Sequence, residues 1–398
     1  MPTSTTTPSQ FVLLTHQRGA ETALKKEMAR RRPNYRLSYS RPGFLTYKLP
    51  APEALDKRLG IDVPTLGTIF ARSCAHSLGS VVKKDAVGET GEFDSRRAAE
   101  RVWELARSEF GSESRSALEM GRAGKELPRL SRVRVFERDQ FEIGTRGYEP
   151  GPTDLTRDVH RAICEGAPKE FADRLASDAD QPDVPAELGE VCLDVALVSP
   201  EEYWVGFHRV SDWHSRYPGG LSPLALPTDA ASRAFLKFEE GLRWSGLPIG
   251  VGSRCVDIGS SPGGCSQALL ARGAEVIGVD PAEMDPRVLA YPNFVHLRGK
   301  IGQLKRKSFR KSRWFFADMN VAPRYALDAL EELISRPDVD ARGALFTLKL
   351  FEWKLADEIP SYISRIKSWG FNRVKARQLQ FNRQEIMIAA TKKGNRRH

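Results

Sequence analysis

From Ser232 onward the chain alternates helix-like and strand-like stretches, and that alternation limits its possible folds more than any other feature. Periodicity predicts a helix over Ser232–Leu242, a strand over Arg254–Ile258 and a helix over Gly264–Ala271. Further strands are expected at Glu275–Val279, Phe294–Leu297, Trp314–Ala317 and Ala344–Leu348, with helices at Arg324–Ser335 and Ala356–Trp369 and a last strand at Gln384–Thr391. Strands separated by helices imply an α/β domain of the βαβ type, with ligands bound beyond the carboxyl ends of the strands.

The half before Ser232 has a different texture. From Phe11 it reads strand, helix, strand, which predicts an α+β part over residues 11–75. A second α+β part is expected over 76–212, with a helix at Asp94–Ser108, a strand at Ser131–Phe136, a helix at Thr153–Glu165 and strands at Val191–Val198 and Tyr203–Val210. The Pro- and Gly-rich stretch 213–231 reads as a linker, and the domain after it runs over 232–392. Residues 1–10 read as a disordered leader and 393–398 as a basic tail.

The 398 residues hold too much chain for one ordinary domain. Nowhere is there an apolar run of the roughly 18 residues that a membrane span needs, and no secretion signal opens the chain. Cys74, Cys164, Cys192, Cys255 and Cys265 are odd in number and never C-x-x-C spaced, so neither a disulfide framework nor a metal site is expected and a reducing cytoplasm fits. A net charge of +10 favours a polyanionic partner.

Asp257–Gly264, D-I-G-S-S-P-G-G, runs from a strand through a small-residue turn into a helix. Gly259 allows a tight turn, Ser261 and Pro262 continue it, and Gly263 with Gly264 would let a ligand approach the backbone at the helix start. Neither G-x-G-x-x-G nor a Walker A loop is present, which disfavours a nicotinamide dinucleotide. Asp280 ends the next strand, 23 residues after Asp257, where an acidic side chain can hold both hydroxyls of a ribose. An adenosine without a diphosphate points to S-adenosyl-L-methionine.

Four charged residues stand out around this cradle: Lys237, Asp318, Lys349 and Glu385. Asp318 ends the apolar run W-F-F-A and Lys349 ends L-F-T-L, so both should face the crevice, and Asp318 should also lie near the cofactor. A lysine can remove a hydroxyl proton if it is neutral when it acts, and burial and a neighbouring cation both favour the neutral form. Lys349 is the expected base, Lys237 the neighbouring cation, and Asp318 and Glu385 the charge-balancing partners.

These segments, with A-D-M at 317–319, T-L-K at 347–349 and R-Q-E at 383–385, resemble the FtsJ-type (RrmJ-like) ribose 2′-O-methyltransferases with their Lys-Asp-Lys-Glu tetrad. S-R-A-F-L-K-F-E-E at 232–240, R-Q-L at 377–379, I-F-A-R at 69–72 and the Tyr203–Pro218 region are similar to the RlmM family, which 2′-O-methylates a cytidine of 23S ribosomal RNA. The resemblance implies a Rossmann-like methyltransferase domain with a mostly parallel seven-stranded sheet, preceded by α+β RNA-binding domains that include a THUMP-like one at 76–212. It supplies the hydroxyl as a ribose 2′-OH and RNA as the partner, with no membrane and no metal. One departure is L-R-G-K at 297–300, where Gly299 and Lys300 stand in place of the acidic residue that many relatives carry near the adenine.

Lys300–Arg313 holds seven basic residues and no acidic one, and reads as a surface track for phosphates. Arg30, Arg31 and Arg32, and Arg129, Arg132 and Arg134, would extend it. Trp213 and Tyr217 could stack on a base or anchor the linker on a core, and anchoring is favoured. Two other readings stay open: 2′-O-methylation of a transfer RNA or a cap, and a non-catalytic RNA-binding or assembly protein on the same scaffold. Oligomeric state is not legible.

Overall fold

The structure is a computed structural model that describes residues 10–53, 55–60, 65–111, 129–175 and 181–392. Most of the expected leader, 1–10, and the whole expected tail, 393–398, lie outside the described residues. The chain divides into two compact units, residues 1–223 and 224–398.

In the first unit the chain runs through β1 (Phe11–His16), α1 (Glu21–Arg31), β2 (Arg36–Arg41), β3 (Phe44–Lys48), α2 (Leu55–Gly60), β4 (Ala71–Val82) and α3 (Ser95–Phe110). It continues through β5 (Leu130–Glu137), α4 (Asp154–Glu165), α5 (Lys169–Leu175), β6 (Val191–Ser199) and β7 (Glu202–Arg209). All seven strands join one sheet in the order β2-β3-β1-β4-β7-β6-β5, antiparallel except for the β5–β6 pair. The expected division between residues 75 and 76 falls inside β4, so the two α+β parts share a sheet. Asp94 caps α3 by accepting from the amides of Arg96 and Arg97, and Thr153 caps α4 through the amide of Thr156. Helices α3 and α4 bury Trp103, Val102, Val159 and Ile163 against Val133, Val195 and Phe207 of the sheet. Residues 214–220, expected in a linker, form two short 3₁₀ turns with His214, Gly219 and Gly220 buried.

The second unit has α6 (Ala234–Ser245), β8 (Arg254–Ile258), α7 (Gly264–Leu270), β9 (Glu275–Asp280), α8 (Pro286–Leu289) and β10 (Phe294–Arg298). Then follow β11 (Trp314–Ala317), α9 (Pro323–Ile334), β12 (Gly343–Lys349), α10 (Ile359–Ser368), β13 (Arg373–Arg377) and β14 (Glu385–Thr391). The order is β10-β9-β8-β11-β12-β14-β13; the first five strands are mutually parallel, and β14 runs antiparallel between β12 and β13. The central strands are apolar on both faces, as a sheet covered twice requires. Phe238 and Leu242 of α6 join the core that includes Phe316, Leu345 and Met387, while α9 and α10 bury Leu327, Leu330, Ile334, Ile359 and Ile366. This is the expected Rossmann-like, mostly parallel seven-stranded architecture.

The second unit also departs from expectation in its last third. The helix placed at 356–369 begins at Ile359 and is preceded by a 3₁₀ turn, Trp353–Glu358. Strand β13 was not foreseen: R-V-K-A-R sits at the sheet edge with an exposed or half-exposed face, so it lacks an apolar run. Among the described residues no helix is long and apolar enough to cross a membrane.

Candidate active site

Strand order alone places a crevice. From β8 the chain steps outward to β9 and β10, then returns to β11 on the other side of β8. The reversal lies between β8 and β11, and the segments leaving their carboxyl ends diverge there. The turn 259–263 leaves β8, and Asp318 leaves β11.

The turn is built for close approach of protein to protein. Gly259 has φ +73°, and a Cβ there would lie 2.7 Å from Met319 Cγ, the residue after Asp318. A Cβ on Gly263 would meet Val288 Cγ2 at 2.5 Å, and one on Gly264 would meet Ser232 Oγ at 2.3 Å and the Phe235 amide nitrogen at 2.8 Å. Gly259 thus makes the expected tight turn, and the three glycines also let the turn pack between Met319, α8 and the start of α6. Ser261 and Pro262 form the outer part of the turn; the Ser261 amide donates to Asp280 Oδ2 at 3.1 Å, and its hydroxyl to the Glu283 carbonyl at 2.7 Å.

The two acidic residues of the cradle have different surroundings. Asp280 is partly exposed, and its other oxygen accepts from the Ala282 amide at 2.8 Å, so backbone donors fix the carboxylate at the strand end. Asp257 is fully buried and accepts from Ser266 Oγ at 2.7 Å; it shapes the turn from beneath. Burial pushes its pKa up to about 6, more than the Ser266 hydrogen bond lowers it.

Lys237, Asp318, Lys349 and Glu385, far apart in the chain, form one cluster. Lys237 Nζ lies 2.6 Å from Asp318 Oδ2 and 3.1 Å from Glu385 Oε1. Lys349 Nζ lies 2.9 Å from Asp318 Oδ1 and also donates to Glu385 Oε2. Each ammonium thus bridges both carboxylates. Lys349 and Glu385 are register partners, the last residue of β12 facing the first of β14. Asp318 follows β11 directly, next to β12, which brings it within reach of Thr347 Oγ1 at 2.6 Å. Helix α6 delivers Lys237 because Gly241, one turn on, lets it settle on the sheet: a Cβ there would lie 3.1 Å from Met387 Cε and 3.2 Å from Leu345 Cδ2.

The electrostatics correct one expectation. Burial does pull the Lys349 pKa down, but the carboxylates of Glu385 and Asp318 outweigh it and hold the pKa above the ordinary lysine value. The resting ammonium is therefore charged, and the neighbouring cation does not make it neutral. Burial also opposes ionisation of Asp318, yet Lys237 and Lys349, with the Thr347 hydroxyl, bring its pKa down to about 2. The cluster at rest holds two ammoniums and two carboxylates.

Other expected residues fall elsewhere. Of the segment after β10, Lys300, Lys305, Lys307 and Lys311 are exposed, while Arg310 and Arg313 pair with Asp338 at 3.1 Å and Asp340 at 3.3 Å. In the first unit Arg30, Arg31, Arg32 and Arg129 are exposed, and Arg31 pairs with Glu27. Arg134 cannot serve a phosphate track: it is wholly buried and donates to the carbonyls of Pro182 and Val184 at 3.3 and 2.7 Å. Arg132 is half-buried, 3.5 Å from Glu190. Tyr217 is buried, with Trp213 packed edge-on to it at 5.4 Å between ring centroids, so these rings anchor rather than stack outward. Among the described residues no group of three or more His, Cys, Asp or Glu could hold a metal ion.

Residues 230–380 match the model of the FtsJ-like methyltransferase family. A protein named Ribosomal RNA large subunit methyltransferase M from Marinobacter nauticus is 30% identical over 206 residues, covering 49% of this chain and 56% of that protein. The protein of that name from Edwardsiella ictaluri is 28% identical over 210 residues, covering 49% and 54%. The chain spans about half the length of the curated relatives it matches. The solved structure of TrmN from Thermus thermophilus aligns over 96% of this chain and 99% of that one, at 14% identity and a TM-score of 0.31. The second unit thus carries an FtsJ-like methyltransferase domain.

Proposed function

We propose that this FtsJ-like domain is an S-adenosyl-L-methionine-dependent ribose 2′-O-methyltransferase acting on RNA, with a cytidine of 23S ribosomal RNA as its substrate. The observation that carries the reading is the convergence of Lys237, Asp318, Lys349 and Glu385 at the carboxyl ends of the strands, beside the turn 259–263. When bound, the cofactor supplies an electrophilic methyl group. The fixed carboxylate of Asp280 suits the two hydroxyls of its ribose, and Ser261, Pro262, Gly263 and Gly264 would line its amino-acid end. Asp257 holds that turn in shape through Ser266.

Lys349 is the base for the ribose hydroxyl. Its ammonium is charged at rest, so it must first shed a proton, and the base form is scarce at neutral pH. Asp318 divides its charge between Lys237 and Lys349, so its hold on the Lys349 proton is shared with a second cation. Lys237 and Glu385 keep the cluster neutral and fix the direction of the Lys349 amine. The exposed lysines at 300–311 are suited to the RNA backbone, and the first unit, read as a THUMP-like RNA-binding part, to docking of the RNA. A cytoplasmic location fits this reading.

The test is methyl transfer from labelled cofactor to ribosomal RNA lacking the modification, with the product mapped by mass spectrometry. The wild-type chain is expected to label one cytidine ribose, and Lys349→Ala to lower the rate by about 100-fold or more. Full transfer by Lys349→Ala would remove Lys349 as the base, and labelling confined to transfer RNA or to a cap would replace the substrate.

A further inference from the structure

We infer that Glu240 is a positioning residue for the four-residue cluster, acting through the loop that leads into Glu385; its bearing on catalysis rests on the reading above. Glu240 lies on α6, one turn beyond Lys237, and is completely buried. Its two carboxyl oxygens accept from two successive backbone amides, Gln380 at 2.8 Å and Phe381 at 3.0 Å. Those amides belong to the segment between β13 and β14, where Gln378, Leu379, Gln380, Phe381 and Asn382 are all buried.

The same segment then reaches the cluster. Asn382 Oδ1 accepts from the Leu379 amide at 2.9 Å, which orients the side chain, and Nδ2 donates to Glu385 Oε1 at 3.3 Å. Gln378 Nε2 closes the loop onto the Arg383 carbonyl at 2.9 Å. Lys237 and Glu385 are therefore joined twice: directly at 3.1 Å, and through Glu240, the 380–381 amides and Asn382.

Apolar side chains could hold a helix against a loop without the desolvation cost that a buried carboxyl carries. What Glu240 adds is direction. Two acceptor oxygens aligned on consecutive amides leave the loop one orientation, and that orientation decides where Asn382 and then Glu385 point. Glutamine cannot substitute, since it offers one acceptor oxygen and turns a donor toward the second amide.

The experiment is the pH dependence of Lys349 labelling by an amine-reactive probe, read by peptide mass spectrometry on the full chain, for wild type, Glu240→Gln and Asn382→Ala. Amide exchange is measured alongside. Exchange at Gln380 and Phe381 is expected to quicken by about tenfold or more in Glu240→Gln, as loss of an aligned acceptor allows. Loosening Glu385 removes part of what raises the Lys349 pKa, so both variants should label at lower pH than wild type, several-fold more at a fixed mildly alkaline pH. A folded Glu240→Gln chain whose labelling curve matches wild type overturns the inference. Should that variant not fold, an unchanged curve in Asn382→Ala overturns it equally. Labelling needs no methyl transfer, so an inactive wild-type chain would sink the methyltransferase reading while this result still stands on its own.

Discussion

Between Asp318 and Glu385 the Lys349 ammonium has two carboxylate oxygens as acceptors, and burial is too weak an opponent to keep its pKa from rising. A base held in that state works better as protons become scarce. The single-turnover rate is thus expected to climb with pH through the neutral and mildly alkaline range, and a plateau near neutrality would contradict this. Lys349→Arg sharpens the point, because a guanidinium can bridge both carboxylates but does not deprotonate. That variant is expected to fold with a near wild-type melting temperature and to transfer methyl groups about 100-fold more slowly or worse. Lys349 and Asp318 were legible because each ends an apolar run with a charge. Thr347, Glu240 and Asn382 were not, since a polar side chain in a strand, helix or loop carries no mark of the distant group it serves.

Helix α6 and the β12–β14 pair do most of the assembling: β14 runs back against β12, so the start of one strand meets the end of the other at a single rim. Hydrophobic periodicity revealed the strands of this sheet that are apolar on both faces, with ends placed within a residue or two. It missed β13, whose edge position tolerates charge, and it took residues 213–231 for a linker, although 213–223 belong to the first unit, because Pro and Gly serve buried 3₁₀ turns as readily as exposed ones. The connection from β10 to β11 carries Lys300, Lys305, Lys307 and Lys311 on the surface, without an ion pair among the described residues. If these lysines follow an RNA backbone, changing all four to alanine should flatten the salt dependence of binding. The slope of log affinity against log salt would fall by up to about 3 for single-stranded contacts. An unchanged slope would remove this segment from the RNA interface.

A net charge of +10 and an α+β unit followed by an α/β one suit the proposed enzyme, which must first hold a large polyanion and then act on one of its hydroxyls. The presence of two units was readable from the change of texture near Ser232, whereas the single sheet of the first unit was not, because strand pairing over 11–209 depends on register that composition does not encode. The cluster of two ammoniums and two carboxylates has one more consequence. Its charges cancel, so any single loss leaves an uncompensated ion in a mostly buried place, and the fold itself is penalised. Lys237→Met combined with Glu385→Gln should lower the melting temperature by less than the sum of the two single losses, with a coupling of about 1 kcal/mol or more in a double-mutant cycle. Additive losses would show the charges to be independent. A lineage that abandoned the chemistry while keeping the scaffold would accordingly shed these residues as matched pairs of opposite sign.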